Sequence, residues 1–260
     1  MGSKAARAKS KLPTKPSAAA NIGSMITLRP AGERGHADHG WLNTFHTFSF
    51  ADYYDPKHMG FRALRVLNDD RIAAGRGFGA HGHRDMEIIT YVLEGSLAHK
   101  DSMGQQEVLE PNMVQAMSAG TGVIHSEFNG SPKEPVHLIQ IWIEPAEMDV
   151  APAYQQFGYD PSEKKGRLRL IAGPDKKTSD PAAFIPQDAR MYASVLAAGE
   201  SLTQPIAKGR HAWVHCATGN ITLNGHALKE GDGAALSDEA ALEIAGAGAS
   251  GGEFLVFDLA

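Results

Sequence analysis

Residues 75–95 read GRGFGAHGHRDMEIITYVLEG, and this stretch decides both the fold and the site. It places His81 and His83 two positions apart, shortly before a run rich in β-branched and aromatic residues. Because successive side chains of a β-strand point to opposite faces, residues at i and i+2 share one face. The pair therefore predicts a strand that presents two imidazoles on the same side.

A second pair with the same spacing begins 42 residues after His83, where His125 and Glu127 stand two positions apart. Two such strands facing each other would aim three imidazoles and one carboxylate at a single point. Nitrogen and oxygen donors of this kind bind divalent transition metals, whereas structural zinc sites favour thiolates. Strand parity leaves the carboxylate open, since Glu127 shares parity with His125 and Glu87 shares parity with His83.

Short strands separated by polar or glycine-rich turns fill the rest of the chain. Residues 63–67 predict a strand that ends in a turn at residues 68–70, and residues 136–143 alternate almost fully apolar. Strands this short, about ten residues apart, are typical of an antiparallel sandwich or a small barrel. No apolar run approaches the length of a transmembrane helix, so no membrane span is expected.

A weak internal repeat predicts two β-domains in tandem. Residues 91–97 and residues 214–221 both combine an apolar strand, a polar glycine turn and a second strand. We predict a disordered basic tail over residues 1–24, a metal-binding domain over 25–150 and a second domain over 151–260, with a polar connector and some helix at 146–166. The second domain is expected to hold no metal, because the second half contains no dihistidine pair.

Charge and cysteine content limit the classes of partner. The first 24 residues hold five basic side chains and no acidic one, so the rest of the chain, with 20 basic and 30 acidic residues, has a net charge of −10. A body this acidic argues against direct binding of nucleic acid. A single cysteine, Cys216, excludes an internal disulfide and fits a reducing compartment.

The glycine spacing around both pairs resembles the paired motifs of the cupin superfamily. The first motif reads Gly75-x5-His81-x-His83-x3-Glu87-x7-Gly95 and the second reads Gly122-x2-His125-x3-Asn129. Longer flanking motifs resemble the pirin family, in particular the bacterial pirin-like quercetin 2,3-dioxygenases. They are GERGH (32–36), GWL (40–42), FHTFSF (45–50), YYDP (53–56), RVLNDD (65–70), HGHRDME (81–87) and SAGTGVIHSEFN (118–129).

The resemblance implies an all-β bicupin, with two tandem β-barrel or jelly-roll domains, short helical connectors and a metal only in the N-terminal barrel. It implies the ligand set His81, His83, His125 and Glu127, and it leaves Glu87 outside that set. The donors suit one divalent transition metal, with Fe(II) preferred and Mn, Co, Ni, Cu or Zn as alternatives. The other histidines at 36, 46, 58, 99 and 137 are expected to be structural or surface residues.

The resemblance also implies a reaction in which a flavonol such as quercetin and O2 give a ring-opened depside and carbon monoxide, with Glu127 as both ligand and catalytic base. Two alternatives remain open at this point. One is a metal-dependent, redox-sensing binding protein that regulates a protein partner, and the other is a different small-molecule cupin enzyme. We predict a cytoplasmic monomer that binds neither nucleic acid nor membrane directly.

Overall fold

The computed structural model describes residues 25–175 and 181–260, so the predicted tail over residues 1–24 lies outside the described part. Antiparallel strands form almost all of the regular structure. The strands of the first half are β1 Met25–Arg29, β2 Gly35–Asp38, β3 Leu42–His46, β4 Leu64–Ile72, β5 Gly77–His83, β6 Glu87–Glu94, β7 Leu97–Asp101, β8 Gln106–Leu109, β9 Met113–Ser118, β10 Val123–Asn129, β11 Val136–Ile143 and β12 Ala153–Gly158.

The second half is built in the same way. Its strands are β13 Arg169–Gly173, β14 Ala183–Phe184, β15 Ala189–Leu196, β16 Ser201–Pro205, β17 His211–Leu223, β18 His226–Lys229, β19 Gly233–Ser237, β20 Ala241–Gly246 and β21 Gly252–Leu259. Helical structure in the described ranges consists of two short 3-10 turns, Ala31–Glu33 and Pro161–Lys164. The prediction of an all-β chain with only short helical connectors is confirmed.

Two sheets form the first unit. A seven-stranded sheet has the order β12-β9-β6-β11-β4-β3-β2, and a four-stranded sheet has the order β5-β10-β7-β8. Apolar side chains of both sheets pack together between them, among them Val92, Leu97, Leu109 and Leu138. The second unit is a ten-stranded sheet whose long strand β17 pairs with β18, β19, β20 and β21.

Strand pairing crosses the predicted domain boundaries in both directions. Strand β1, from the start of the first predicted domain, pairs with β19 of the second unit, with Met25 opposite Ser237. Strand β12, from the start of the second predicted domain, pairs with β9 of the first unit, with Ala153 opposite Ser118. The predicted connector at 146–166 therefore contains an edge strand as well as a 3-10 turn, and each unit is completed by a strand from beyond the boundary.

A shared hydrophobic core joins the two units. One cluster of buried side chains includes Ile139 and Ile141 of β11 together with Trp213, Leu255 and Phe257 of the second unit. Apolar area buried in such an interface stabilises by roughly 25 cal/mol per Å². We infer that the first unit, which carries the two ligand pairs, is held rigidly by the second.

The predicted turn at residues 68–70 is wrong. Strand β4 continues through Asn68, Asp69 and Asp70 to Ile72, and all three polar residues are buried. Two of them have partners that hold them in the sheet: Asn68 pairs with His46, and Asp69 accepts a hydrogen bond from His137 Nε2 at 2.8 Å. Asp70 Oδ1 has no hydrogen-bond partner among the described residues. A polar run that signals a turn by composition is here retained in a central strand by buried partners.

Candidate metal centre

Strands β5 and β10 bring the three predicted histidines together. They pair antiparallel, with His125 opposite His81 and Val123 opposite His83. A ring nitrogen from each histidine lies within 4.8 Å of the other two. His125 is fully buried, whereas His81 and His83 are half-buried at the edge strand β5. The parity argument from the sequence therefore placed all three imidazoles correctly on one face.

The local backbone fixes the orientation of His81. Its Nδ1 donates to the carbonyl oxygen of Gly79 at 2.8 Å, because a carbonyl can only accept. A neutral imidazole protonated at Nδ1 keeps its lone pair on Nε2. That Nε2 points at the Nε2 of His125, 3.1 Å away.

Glycines permit the close approach of the two ligand strands. A Cβ on Gly77 would lie 2.2 Å from the carbonyl oxygen of Glu127, so only glycine fits beside β10. Gly122, which precedes β10, has φ +137°, a conformation that other residues rarely adopt. Gly77 therefore permits a tight strand contact, and Gly122 permits the turn that leads into β10.

Glu127 lies on β10 with its side chain fully buried between the two sheets. Its Oε2 accepts a hydrogen bond from Gln140 Nε2 at 3.0 Å, and its Oε1 accepts a longer one from Thr90 Oγ1 at 3.4 Å. The carboxylate lies within 4.8 Å of ring nitrogens of His125 and His99, which form a second triad with it. Two triads of donor atoms thus overlap at His125, one with His81 and His83 and the other with His99 and Glu127.

Burial controls the charge of these groups. It lowers the pKa of His125 to about 3 and that of His83 to about 4, with the neighbouring His81 lowering both further. Burial also raises the pKa of Glu127 to about 7. His83 and His125 are therefore neutral donors at pH 7, and a buried carboxylate beside them gains from a cation. The donor set fits a divalent transition metal.

Two buried ring nitrogens next to the cluster lack partners. The Nδ1 atoms of His99 and His125 are buried and find no hydrogen-bond partner among the described residues. Buried polar atoms are almost always paired, so unpaired nitrogens here mark a place where protein atoms alone leave the site incomplete.

A cavity of about 490 Å³ opens beside the histidines. Four aromatic side chains wall it, and Trp142 meets His83 edge-on with 4.9 Å between the ring centroids. The wall residues are Trp41, Phe50, Phe78 and Trp142, and the polar residues reaching it are Asn68, Asp70, Glu127 and Gln140. An apolar pocket with a few converging polar groups next to a metal-binding cluster is suited to a flat aromatic ligand.

A larger groove of about 620 Å³ is lined by Glu107 and Tyr154 of the first unit and by Pro181 and Ala182. Its described lining residues include no histidine, and it is about equally polar and apolar. The smaller cavity is the better candidate site, because it holds the clustered donors.

Glu87, the competing carboxylate, is not among the clustered donors. It begins β6 in the other sheet, is buried, and accepts a hydrogen bond from Ser118 Oγ. Burial raises its pKa. The turn between β5 and β6 moves the chain from one sheet to the other, so the parity shared with His81 does not extend to Glu87.

Sequence reasoning missed several residues that surround Glu127 and His125. Thr90, Gln115 and Gln140 come from β6, β9 and β11 of the other sheet, and only the packing of the two sheets brings these strands to face β10. His99 was expected to be structural, yet it lies against the site. The same spacing rule could have found it, because His99 and Asp101 stand two positions apart on a strand and so share one face.

The two β-units, with a histidine cluster in the first, define a bicupin with a candidate metal centre in its first unit. Residues 27–143 match the family described as Pirin, and residues 170–259 match the one described as quercetinase C-terminal cupin domain. A protein of Escherichia coli K12 named quercetin 2,3-dioxygenase is 49% identical over 235 residues, covering 90% of this chain and 99% of its own. This chain belongs to the pirin family.

Solved structures agree with this assignment. YhhW from Escherichia coli superposes with a TM-score of 0.85 at 48% identity, covering 91% of this chain and 98% of its own. The structure of bacterial pirin YhhW from Escherichia coli in complex with nickel(II) gives a TM-score of 0.83 at 47% identity, covering 90% of this chain and 99% of its own. The predicted bicupin fold and pirin resemblance are confirmed. Among the described residues, no helix has the length and apolar character needed to cross a membrane.

Proposed function

We propose that this protein is a metal-dependent dioxygenase that opens the central ring of a flavonol such as quercetin. The supporting observation is the convergence of three histidine nitrogens within 4.8 Å beside an aromatic-walled cavity. Close relatives named quercetin 2,3-dioxygenase support the substrate class, and the nickel(II) complex of YhhW supports a divalent metal.

The proposed ligands are His81, His83, His125 and Glu127, with Fe(II) preferred and Mn, Co, Ni, Cu or Zn as alternatives. When bound, the cation supplies Lewis acidity that lowers the pKa of a coordinated hydroxyl. The three neutral imidazoles carry no charge of their own and Glu127 carries one, so the centre keeps a net positive charge that favours an anionic substrate oxygen.

Glu127 is the proposed base. A flavonol has a hydroxyl next to a ring ketone, and removal of that proton makes the ring electron-rich enough to react with O2. Glu127 is the carboxylate on β10 that reaches both the cluster and the cavity. Gln140 and Thr90 donate to its two oxygens and so hold it in place while it takes the proton.

The cavity walls orient the substrate. Phe50 and Trp142 meet at right angles with 5.3 Å between their centroids, and both rings line the cavity that would receive a planar ring system. Trp142 also contacts His83, so a ring held against it lies next to the cluster. The product of ring opening with loss of carbon monoxide is a depside ester.

Metal-by-metal reconstitution tests the proposal. Metal-free protein is loaded separately with Fe(II), Mn(II), Co(II) or Ni(II), and quercetin loss, O2 uptake and CO release are measured together. We expect equal amounts of all three with at least one metal and none without metal. Glu127→Gln keeps the shape and the imidazoles but removes the base, and it is expected to lower kcat by about 100-fold or more. Unchanged turnover by that variant would exclude Glu127 as the base.

A further inference from the structure

Strand β7 lies on the other side of β10 from β5 and presents a second inward-facing pair. The register places His99 opposite Glu127 and Asp101 opposite His125. The side chains of His99 and Asp101 are both fully buried. Directly opposite side chains on one face of an antiparallel pair are in contact range, so these four residues form a square on the inner face of the sheet.

Hydrogen bonding determines which nitrogen of His99 carries the proton. Asp101 Oδ1 already accepts from the backbone N–H groups of Met103 at 2.9 Å and Gln105 at 3.0 Å. Asp101 Oδ2 lies 3.1 Å from His99 Nε2. A carboxylate only accepts, so Nε2 of His99 carries the hydrogen. With its hydrogen on Nε2, the imidazole of His99 presents the lone pair of Nδ1 on the opposite side of the ring.

His125 presents the complementary group. Its Nε2 points at His81, where the first triad converges, and its Nδ1 is buried on the other side of the ring. A neutral histidine that binds a metal through Nε2 must carry its hydrogen on Nδ1. Buried N–H groups of metal-binding histidines need an acceptor, and the ring of His99 has a ring nitrogen within 4.8 Å of one of His125.

We propose that Asp101 and His99 are positioning residues that lock His125 in the tautomer and orientation required for binding the metal through Nε2. In the metal-loaded protein the hydrogen on His125 Nδ1 is accepted by His99 Nδ1, which has no partner in this structure, and the hydrogen on His99 Nε2 is accepted by Asp101. This inference rests on the ligand role of His125 proposed above. Tyr154 stacks on His99 with 4.8 Å between the centroids and keeps the ring from rotating.

Asp101→Asn is the sharpest variant. The oxygen of the new amide stays with the two backbone N–H groups, so its NH2 group faces His99 Nε2. His99 must then carry its hydrogen on Nδ1, where it opposes the hydrogen of His125. We expect the dissociation constant for Ni(II) to rise by about 10–100-fold, since groups behind a metal ligand typically contribute this much.

A second variant separates hydrogen bonding from packing. His99→Phe keeps an aromatic ring against Tyr154 but removes both nitrogens, and it is expected to weaken Ni(II) binding similarly. Lys100→Ala, on the outward face of the same strand, is the matched control and should bind Ni(II) as the wild type does. Wild-type affinity in either Asp101→Asn or His99→Phe would overturn the proposal.

Nitrogen-15 NMR of the zinc-loaded wild-type protein, labelled at histidine, tests the tautomers without any substitution. We expect His99 to be protonated at Nε2 and His125 at Nδ1. The opposite tautomer of His99 would overturn the inference. These readouts are independent of quercetin turnover. If His125→Ala still binds metal, the proposed ligand set fails. If His125→Ala loses the metal but Asp101→Asn and His99→Phe bind Ni(II) as the wild type does, the ligand set stands and this inference fails.

Discussion

The Nε2 atoms of His81 and His125 lie 3.1 Å apart across the β5–β10 pair. The carbonyl of Gly79 holds the hydrogen of His81 on Nδ1, so its lone pair faces His125. Burial keeps the pKa of His125 low, so protonating His125 to donate a hydrogen bond to that lone pair is energetically unfavourable. A divalent transition metal held by these two histidines would satisfy both nitrogens.

Gln140 is expected to matter for turnover more than for metal retention. Gln140→Leu removes the 3.0 Å hydrogen bond to Glu127 Oε2 and leaves that oxygen without its donor. Hydrogen bonds to charged groups contribute about 1.5–3 kcal/mol, so we expect kcat for quercetin to fall by roughly 10–100-fold with metal content unchanged. Steady-state kinetics with elemental analysis measure this, with Gln204→Leu in the second unit as the control. An unchanged kcat would show that Gln140 does not hold the base.

Trp142 is expected to set substrate affinity. Trp142→Ala removes an aromatic wall of the cavity while leaving the clustered donors in place. Aromatic pairs contribute about 0.5–1.5 kcal/mol beyond their buried area, so KM for quercetin should rise by about tenfold with a smaller change in kcat. Equal KM values for the variant and the wild type would place the flavonol elsewhere.

Asp70 should make the metal-free protein less stable as the pH rises. Burial raises its pKa from 3.8 to about 7, so the folded state keeps a proton that the unfolded state releases. Stability contributed by that proton is present at low pH and is lost as the pH rises from about 4 towards 7. Asp70→Asn removes this dependence. We expect Asp70→Asn to have a higher unfolding free energy than the wild type at pH 8. This advantage of the variant should be about 2 kcal/mol larger at pH 8 than at pH 5.

Urea unfolding of the chelator-treated proteins at both pH values gives this difference. Asp38→Asn, at an exposed position of β2, serves as the control because its carboxylate is solvated in both states. A gain that is the same at pH 5 and pH 8 would contradict the assignment of a raised pKa to Asp70.

A buried polar contact between the units is expected to stabilise the whole chain. Lys164 Nζ donates to Glu253 Oε1 at 2.6 Å and to Tyr91 OH at 3.0 Å, which ties β6 to β21. Lys164→Met leaves Glu253 without its cation, and we expect a loss of about 3 kcal/mol in unfolding free energy. The double variant Lys164→Met/Glu253→Gln should recover most of that loss. Additive losses in the double variant would show that the pair is not coupled.

Local sequence patterns were sufficient to predict that three histidines share one face at the centre of the candidate site. Strand parity placed His81, His83 and His125 on one face, because the period of two holds wherever a strand forms. The family resemblance, not the spacing, selected Glu127 over Glu87, since the sequence alone does not reveal that β5 and β6 belong to different sheets. The ligand assignment itself stays a proposal.

The remaining features of the fold and of the site depend on pairing between strands far apart in the sequence, which local patterns do not specify. Nothing in Met25–Arg29 indicates that this strand pairs with β19, more than 200 residues away. The buried run at residues 68–70 reads as a turn until its partners His46 and His137 are known. His99 was set aside as one of several isolated histidines, because its position against β10 follows only from the β7–β10 register.

The most direct test of the central claim compares wild type with His125→Ala for metal content and CO release from quercetin. His226→Ala, an exposed histidine of the second unit, is the matched control. We predict one divalent metal per chain and CO release in the wild type and the control, and loss of both in His125→Ala. Full turnover by a metal-free His125→Ala protein would contradict the account. A metal-loaded wild type that releases no CO with any of the four metals would contradict the dioxygenase and favour a metal-dependent binding protein.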